Sequence, residues 1–104
     1  IKAKGFDTFG PLGPFLTTAD EIDPANVNLR TYVNGELRQE GHSSNLRHSV
    51  ADLIEYITAY MTLNPGDMIW SGTPKGISHI YPGDQLRLEV GGLGTLENEV
   101  VSSL

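Results

Sequence analysis

Two short segments of this chain carry side chains and backbone groups that could bind a small anion. The first is KGFDTFGP, which begins at Lys4 and includes Asp7 and Thr8. A partly buried lysine can contact a carboxylate or enolate oxygen, or move a proton, because burial readily shifts the pKa of an ammonium group. Asp7 could ligate a metal or hold Lys4 in place, and Thr8 could offer a hydroxyl. The plainer alternatives are a solvated lysine and ordinary turn capping.

The second segment is Ser71-Gly72-Thr73-Pro74, which follows an apolar stretch from Met68 to Ser71 that we predict to be a strand. A hydroxyl and free amides at a strand end, made rigid by proline, suit a carboxylate. A plain turn is the alternative. The spacing of a phosphate-binding loop, with its Lys and Ser/Thr pair, is absent.

Other kinds of catalytic site have little support. His42, His48 and His79 lack the spacing of metal ligands, so we predict surface or capping roles for them. The sequence has no cysteine, which excludes disulfides, thiolate zinc sites and a cysteine nucleophile. It also lacks the G-x-S-x-G pattern of serine hydrolases.

The charge balance limits the partners. The net charge is −6 and the basic residues are scattered, which argues against nucleic acid and anionic membranes. An acidic chain that handles an anion must focus positive charge locally, through a metal or a well-placed lysine. No signal peptide and no apolar run of about 20 residues is evident. The lack of cysteine fits a reducing cytoplasm, where we expect this protein.

The elements that position these segments are mainly short strands. The glycines and prolines of residues 1–15 predict an irregular loop, and residues 16–26 a surface connection. Alternation from Val27 to Val33, then Asn34-Gly35, then Glu36 to Glu40 predicts a β-hairpin with a type I′ turn.

One helix is predicted after the hairpin. Ser49 is its expected N-cap, with Asp52 in the capping-box position, and Asn64-Pro65-Gly66 stops the chain. Tyr56, Tyr60 and Trp70 are predicted to lie in a core or interface. The apolar face at helical spacing comprises Val50, Leu53, Ile54, Ile57 and Met61.

The tripeptide Pro-Gly-Asp occurs twice, at 65–67 and 82–84, each time before an apolar stretch. The second precedes a predicted strand from Gln85 to Val90, and a glycine-rich turn leads to a last strand from Leu96 to Val101. The fold class predicted is mainly β with one long helix (α+β), arranged as a sheet pair or roll.

Taken in order, the strings KGFDTFGPLGPF, TTADEIDP, YVNGELRQ, MTLNPGDMIWSGTPKGI and YPGDQLRLEVGGLGTLEN resemble the C-terminal half of fumarylacetoacetate hydrolase family proteins. They cover essentially all of residues 1–104. The resemblance is strongest to the 2-hydroxyhepta-2,4-diene-1,7-dioate isomerase and 5-oxopent-3-ene-1,2,5-tricarboxylate decarboxylase branch. Acylpyruvate hydrolases and oxaloacetate decarboxylases share most of these motifs.

The resemblance implies a mixed β-sandwich roll, a homodimer, and a divalent cation (Mg²⁺, or Mn²⁺ or Ca²⁺) that chelates a small 2-oxo acid. It implies that Lys4 contacts the substrate or the metal shell and that Thr73 holds the substrate carboxylate, so both are the expected catalytic residues. The substrate-binding residues expected beside them are Phe6, Asp7, Thr8, Ser71 and Gly72.

The family's metal-binding carboxylates, a Glu-x-Glu pair and a later Asp, precede the KGFD-like segment, as does its His-Glu dyad where present. We therefore expect an incomplete metal site in these 104 residues, with no metal ligand assigned within them. A missing N-terminal half or a second chain would supply it, and residues 1–104 alone would be inactive or nearly so. The alternatives are a non-catalytic subunit or an isolated fragment that keeps the fold.

Overall fold

Four β-strands and one α-helix are formed by residues 4–102, the part of the chain that this computed structural model describes. Residues 4–15 form neither helix nor strand, as the glycines and prolines predict, and residues 1–3 of that predicted loop lie outside the described range. The mainly β architecture with one helix is confirmed. In chain order the elements are β1 (Asn28–Val33), β2 (Glu36–His42), α1 (Val50–Thr58), β3 (Gln85–Val90) and β4 (Gly94–Glu99), with a 3₁₀ turn at Ser43–Asn45.

The strands form one sheet in the order β2-β1-β3-β4. Every neighbouring pair of strands in residues 4–102 is antiparallel. The mixed β-sandwich roll that the family resemblance implies stays a prediction. The hairpin of β1 and β2 is confirmed, and its turn residues Asn34 and Gly35 have the positive φ angles, 52° and 80°, that a type I′ turn requires. β2 lies at one edge of the sheet, which leaves one side of this strand without a partner strand in residues 4–102.

The two faces of the sheet differ in polarity because side chains alternate along each strand. Arg87 of β3 lies over the Tyr32 ring of β1, 4.4 Å from its centroid, on the polar face. The other face is apolar, and its register pairs Leu29 with Val90 and Val33 with Leu86. An antiparallel sheet of this kind normally buries one face and leaves the other in water.

Little of the apolar face is buried within residues 4–102. Val33, 5% exposed, is the one buried hydrophobic residue of that range, whereas Leu29, Leu88 and Val90 are only half-buried. The extensive contacts between elements are those from strand to strand, and α1 does not pack extensively on the sheet. The second layer of a sandwich or roll therefore stays a prediction.

A polar clamp joins the hairpin turn to the start of β3. The Asn34 amide nitrogen donates to an Asp84 carboxylate oxygen (2.8 Å), and the Gln85 N–H donates to the Asn34 side-chain oxygen (2.9 Å). The other Asp84 oxygen accepts from the Tyr81 N–H (2.8 Å). These contacts set where β3 enters the sheet, at the Asn34 end of β1, which makes the two strands antiparallel.

The helix begins where the sequence predicts and ends earlier. Ser49 and Asp52 form the predicted capping box. The apolar pattern predicts a helix that runs to Met61, but α1 ends at Thr58, so it is nine residues rather than a long helix. The Thr58 hydroxyl donates back to the Ile54 carbonyl (2.8 Å), and the Tyr60 N–H bonds three residues back to Ile57 (3.0 Å), which tightens and ends the last turn.

Two further predictions about the apolar stretches are wrong in detail. Residues 68–71 form no strand, because they find no partner strand in the described range and an isolated strand leaves its backbone groups unpaired. The last strand runs two residues earlier than predicted, since Gly94 already pairs with Val90 across a short turn. Tyr56, Tyr60 and Trp70, predicted to lie in a core or interface, are exposed within residues 4–102 by 68%, 73% and 69%. They are therefore not in a core of that range, and the interface stays a prediction.

The hydrogen bonds of Asp84 make the free energy of unfolding depend on pH. The hydrogen bonds from Tyr81 and then from Asn34 lower the pKa of Asp84 from its ordinary value of 3.8. A carboxylate with a lowered pKa stabilises the fold above the unfolded value, and that contribution is lost as the pH falls through the folded value. We predict that Asp84→Asn lowers the free energy of unfolding at neutral pH and flattens its decline below about pH 4.

Urea unfolding at a series of pH values from about 7 to about 2.5 measures this difference. Asp67→Asn is the matched control, because Asp67 caps the other Pro-Gly-Asp turn in the same way, through the Asn64 N–H (2.7 Å), and has no contact with Asn34. Equal pH dependence in wild type and Asp84→Asn would contradict the role given to Asp84.

Candidate functional site

Residues 71–75 border a cavity of about 910 Å³ that opens over the apolar face of the sheet. The structure places Ser71, Gly72 and Thr73, three of the predicted site residues, together in its lining. Leu29 of β1 and Leu88 of β3 contribute to the apolar wall. The arrangement is a half-open pocket with an apolar floor and a hydroxyl-bearing rim, which suits a small ligand with an anionic end.

Thr73 is held by the edge strand β2. The Gln39 side-chain nitrogen lies 2.9 Å from the Thr73 hydroxyl oxygen and 2.9 Å from the Pro74 carbonyl oxygen. A Cβ added at Gly41 would lie 3.1 Å from Pro74 Cβ, so the proline ring packs directly on the strand. The rim of the pocket is therefore positioned by a strand, although it belongs to an irregular segment.

The segment after Pro74 continues to contact β2 as far as Ser78. Arg38 Nη1 is 3.3 Å from the Ser78 hydroxyl, and Gly76 passes so close that an added Cβ would collide with the Arg38 carbonyl oxygen. Arg38 is the extra residue of a β-bulge, since Thr31 pairs with Gln39 but the next residue of β1 pairs with Leu37. Bulges re-aim side chains and bend a strand locally, and this one lies where residues 73–78 meet the sheet edge.

The first predicted segment does not line this cavity. Lys4, Phe6, Asp7 and Thr8 are exposed within residues 4–102 and are absent from its lining. Thr8 takes a left-handed φ of 68°, which is uncommon for threonine and fixes a tight turn. The structure thus brings Ser71, Gly72 and Thr73 together but does not bring Lys4 to them.

One contact joins the two segments indirectly. A Cβ added at Gly10 would lie 3.5 Å from the Trp70 ring, and Trp70 directly precedes Ser71. The two segments therefore meet beside the rim of the cavity. Thr73 follows Trp70 by three residues in the sequence.

The charges around the cavity favour an anion. Three charged residues, Arg47, Lys75 and Glu40, are among those that line the cavity. Glu40 is already paired, because its carboxylate accepts from Arg30 Nε at 2.8 Å, and this hydrogen bond raises the pKa of Arg30. Two cations at one cavity of a chain with net charge −6 are a local concentration of positive charge.

The histidines follow the capping prediction where the structure tests it. The His42 Nδ1 accepts from the Ser44 N–H at 3.1 Å, and its Nε2 lies 3.1 Å from the Asn26 side-chain oxygen. No group of three or more His, Asp or Glu side chains within residues 4–102 is placed to hold a metal ion. No helix in that range is long and apolar enough to cross a membrane.

Gln39 is the site residue that the sequence prediction missed. The hairpin register places it opposite Thr31, in line with Leu29 and Leu88 on the apolar side of the sheet. A polar side chain at an apolar-facing strand position was the available signal. Its partner could not be inferred, because Thr73 lies 34 residues further along the chain.

Residues 1–101 match the family model described as fumarylacetoacetate (FAA) hydrolase C-terminal. A 4-hydroxyphenylacetate degradation bifunctional isomerase/decarboxylase from Salmonella dublin is 48% identical over 97% of this chain and 24% of its own length. The solved structure of a 5-carboxymethyl-2-hydroxymuconate delta-isomerase from Mycobacterium smegmatis is 48% identical, with a TM-score of 0.95 over 100% of this chain and 41% of that one.

A maleylpyruvate hydrolase from Sphingobium sp. SYK-6, solved in complex with manganese (II) ion and pyruvate, is 38% identical with a TM-score of 0.92. The match covers 95% of this chain and 38% of the hydrolase chain. The chain thus spans about a quarter of the Salmonella relative and about two fifths of each of the two structures.

The contact of Gly76 with β2 predicts a large effect of a small substitution. Gly76→Ala adds a Cβ that collides with the Arg38 carbonyl at a φ of +101°, so either the segment 73–78 leaves the strand or the strand distorts. We expect a loss of about 2–4 kcal/mol in the free energy of unfolding, or a displaced rim with weaker ligand binding.

Gly66→Ala is the matched control, because Gly66 has nearly the same φ (+98°) and open space around it. It should cost only the backbone strain, about 1–2 kcal/mol. Denaturant unfolding of both variants gives the difference, and equal losses would show that the contact between residue 76 and β2 does not hold the rim.

Proposed function

The chain belongs to the fumarylacetoacetate hydrolase family, and from this we propose that it is the C-terminal portion of a catalytic domain acting on small 2-oxo or 2-hydroxydienoic acids. The enzyme would be metal-dependent and would isomerise, decarboxylate or hydrolyse its substrate at a carbon–carbon bond. Relatives named as isomerase/decarboxylase and as maleylpyruvate hydrolase support a role in aromatic catabolism. These names favour an enzyme over a non-catalytic subunit.

The observation that carries the proposal is the Thr73 hydroxyl, fixed on β2 at the rim of the cavity with Lys75 and Arg47 in the same lining. A carboxylate accepts hydrogen bonds from a hydroxyl and is attracted by nearby cations. We propose that Thr73 donates to the substrate carboxylate and that Ser71 and Gly72 complete the cradle. The apolar wall would then lie along the carbon chain of the substrate.

Lys4 has a separate proposed role. In the complete enzyme its ammonium group would contact the substrate or the metal shell and share the negative charge of an enolate. Phe6, Asp7 and Thr8 would border the substrate on that side. The contact of Gly10 with Trp70 supports this, because it keeps the Lys4 segment beside the rim that carries Thr73.

The residues in the described range do not fit a divalent cation, since they place no three carboxylate or imidazole groups together. We propose that the cation of the complete enzyme, Mg²⁺ or else Mn²⁺ or Ca²⁺, is held mostly by residues outside these 104. The relative solved with manganese and pyruvate supports a divalent cation in the family.

The half-exposed apolar face suggests how the fold is completed. We propose that further polypeptide, from the same chain or a second one, covers Leu29, Leu88 and Val90 and closes the roll that the family resemblance implies. The coverage of its relatives, from about a quarter to two fifths of their length, supports this. A homodimer in the cytoplasm is the remaining part of the proposal.

Thr73→Val tests the proposed carboxylate contact, because it removes the hydroxyl and keeps the shape of the side chain. We predict that kcat/KM of the full-length protein for maleylpyruvate, with Mn²⁺, falls about 10- to 100-fold, the range for a lost hydrogen bond to a charged group. Thr73→Ser should retain most of the activity.

Thr95→Val is the control, since Thr95 is an exposed threonine of β4 outside the cavity lining. It should leave kcat/KM unchanged. Full activity in Thr73→Val would show that the Thr73 hydroxyl does not bind the substrate carboxylate. Absence of activity of the wild type on every 2-oxo acid tested with Mg²⁺ or Mn²⁺ would contradict the proposed reaction.

A further inference from the structure

We infer that Gln39 is a positioning residue that directs the proton of the Thr73 hydroxyl into the cavity. The inference rests on the proposed function, in which Thr73 donates to the substrate carboxylate. Its basis is the pair of contacts that one side-chain nitrogen makes, to Thr73 and to Pro74.

The orientation of the Gln39 amide follows from its two neighbours. The Pro74 carbonyl oxygen can only accept a hydrogen bond, so the group 2.9 Å from it must be the NH₂ end of the amide. The same nitrogen lies 2.9 Å from the Thr73 hydroxyl oxygen. An NH₂ group has two hydrogens, and one is available for each oxygen.

The direction of the Thr73 hydroxyl follows in turn. Its oxygen accepts from Gln39, which leaves its single hydrogen free to donate elsewhere. No hydrogen bond from Thr73 to another residue of 4–102 takes up that hydrogen. Thr73 is exposed and lines the cavity, so in the free protein this hydrogen is donated to water, and a carboxylate that entered the cavity would replace that water.

Gln39 is well placed to impose this geometry. It lies half-buried on β2, paired with Thr31 and next to the bulge at Arg38. A donor on a strand is held more rigidly than one on a loop, so the sheet fixes the position of the cavity rim. Thr73 itself lies in an irregular segment and would otherwise rotate its hydroxyl freely.

Two substitutions separate the direction of the hydrogen bond from mere packing. Gln39→Met keeps the approximate shape and removes both donors. Gln39→Glu presents an acceptor, which would draw the Thr73 proton away from the cavity and repel an anion. The control is Gln85→Met on β3, because Gln85 is exposed and contributes no side chain to the cavity lining.

The measurement is the Kd of pyruvate, by calorimetry with saturating Mn²⁺, for full-length wild type and variants. We expect Gln39→Met to weaken binding about 3- to 10-fold, the range for one neutral hydrogen bond, and Gln39→Glu to weaken it more. Gln85→Met should bind as wild type does. If Gln39→Met fails to fold, Gln39→Glu, which keeps a polar side chain of the same length, carries the comparison.

A double variant tests whether Gln39 acts through Thr73. In the Thr73→Val background, Gln39→Met should weaken pyruvate binding by less than 2-fold, because the hydroxyl that it orients is already absent. Equal effects in both backgrounds would overturn the inference, since Gln39 would then act by packing alone. Unchanged binding in both Gln39→Met and Gln39→Glu would also overturn it.

The two proposals fail in distinguishable ways. If Thr73→Val weakens pyruvate binding and the Gln39 variants do not, the positioning role is wrong and the proposed function stands. If Thr73→Val itself binds pyruvate normally, the proposed contact is wrong and the role of Gln39 falls with it.

Discussion

The site depends on how residues 73–78 are anchored to the free edge of β2. An edge strand has no partner strand on one side, and here side-chain hydrogen bonds, and not a ladder of backbone hydrogen bonds, hold the neighbouring segment against it. Gln39 binds Thr73 and Pro74, while Arg38 reaches Ser78. A side chain at position 76 would collide with the Arg38 carbonyl, so only glycine fits there. The sheet therefore fixes the position of this irregular segment, and so also the position of the Thr73 hydroxyl at the cavity rim.

The sheet is itself set by a second polar junction, between Asn34 and Asp84, which joins the hairpin turn to β3. It aligns Leu29 with Val90 and Val33 with Leu86, so one face becomes a continuous apolar surface. That face forms the cavity floor and is only half-buried within residues 4–102. Basic residues and apolar groups in the lining of one cavity match a small acid with a hydrocarbon chain. This connects the packing of the sheet to the proposed chemistry.

Local patterns predicted much of this structure. Asn34-Gly35 identified the hairpin, Ser49 with Asp52 identified the start of α1, and the strand from Gln85 to Val90 has the predicted bounds. The failures concern partners distant in sequence. The strand predicted at 68–71 has no neighbour to pair with in the described range, and Gln39 meets Thr73 across 34 residues. The metal and the placement of Lys4 rested on family resemblance and stay proposals.

The central claim is that the Thr73 hydroxyl, held by β2, binds the carboxylate of a 2-oxo acid. The most direct measurement is a crystal structure of the full-length protein grown with Mn²⁺ and pyruvate. We expect a pyruvate carboxylate oxygen within about 3 Å of Thr73 Oγ1, with the Gln39 amide still donating to Thr73 Oγ1. Pyruvate bound with its carboxylate on other groups, and Thr73 turned away from it, would show that Thr73 does not bind the carboxylate.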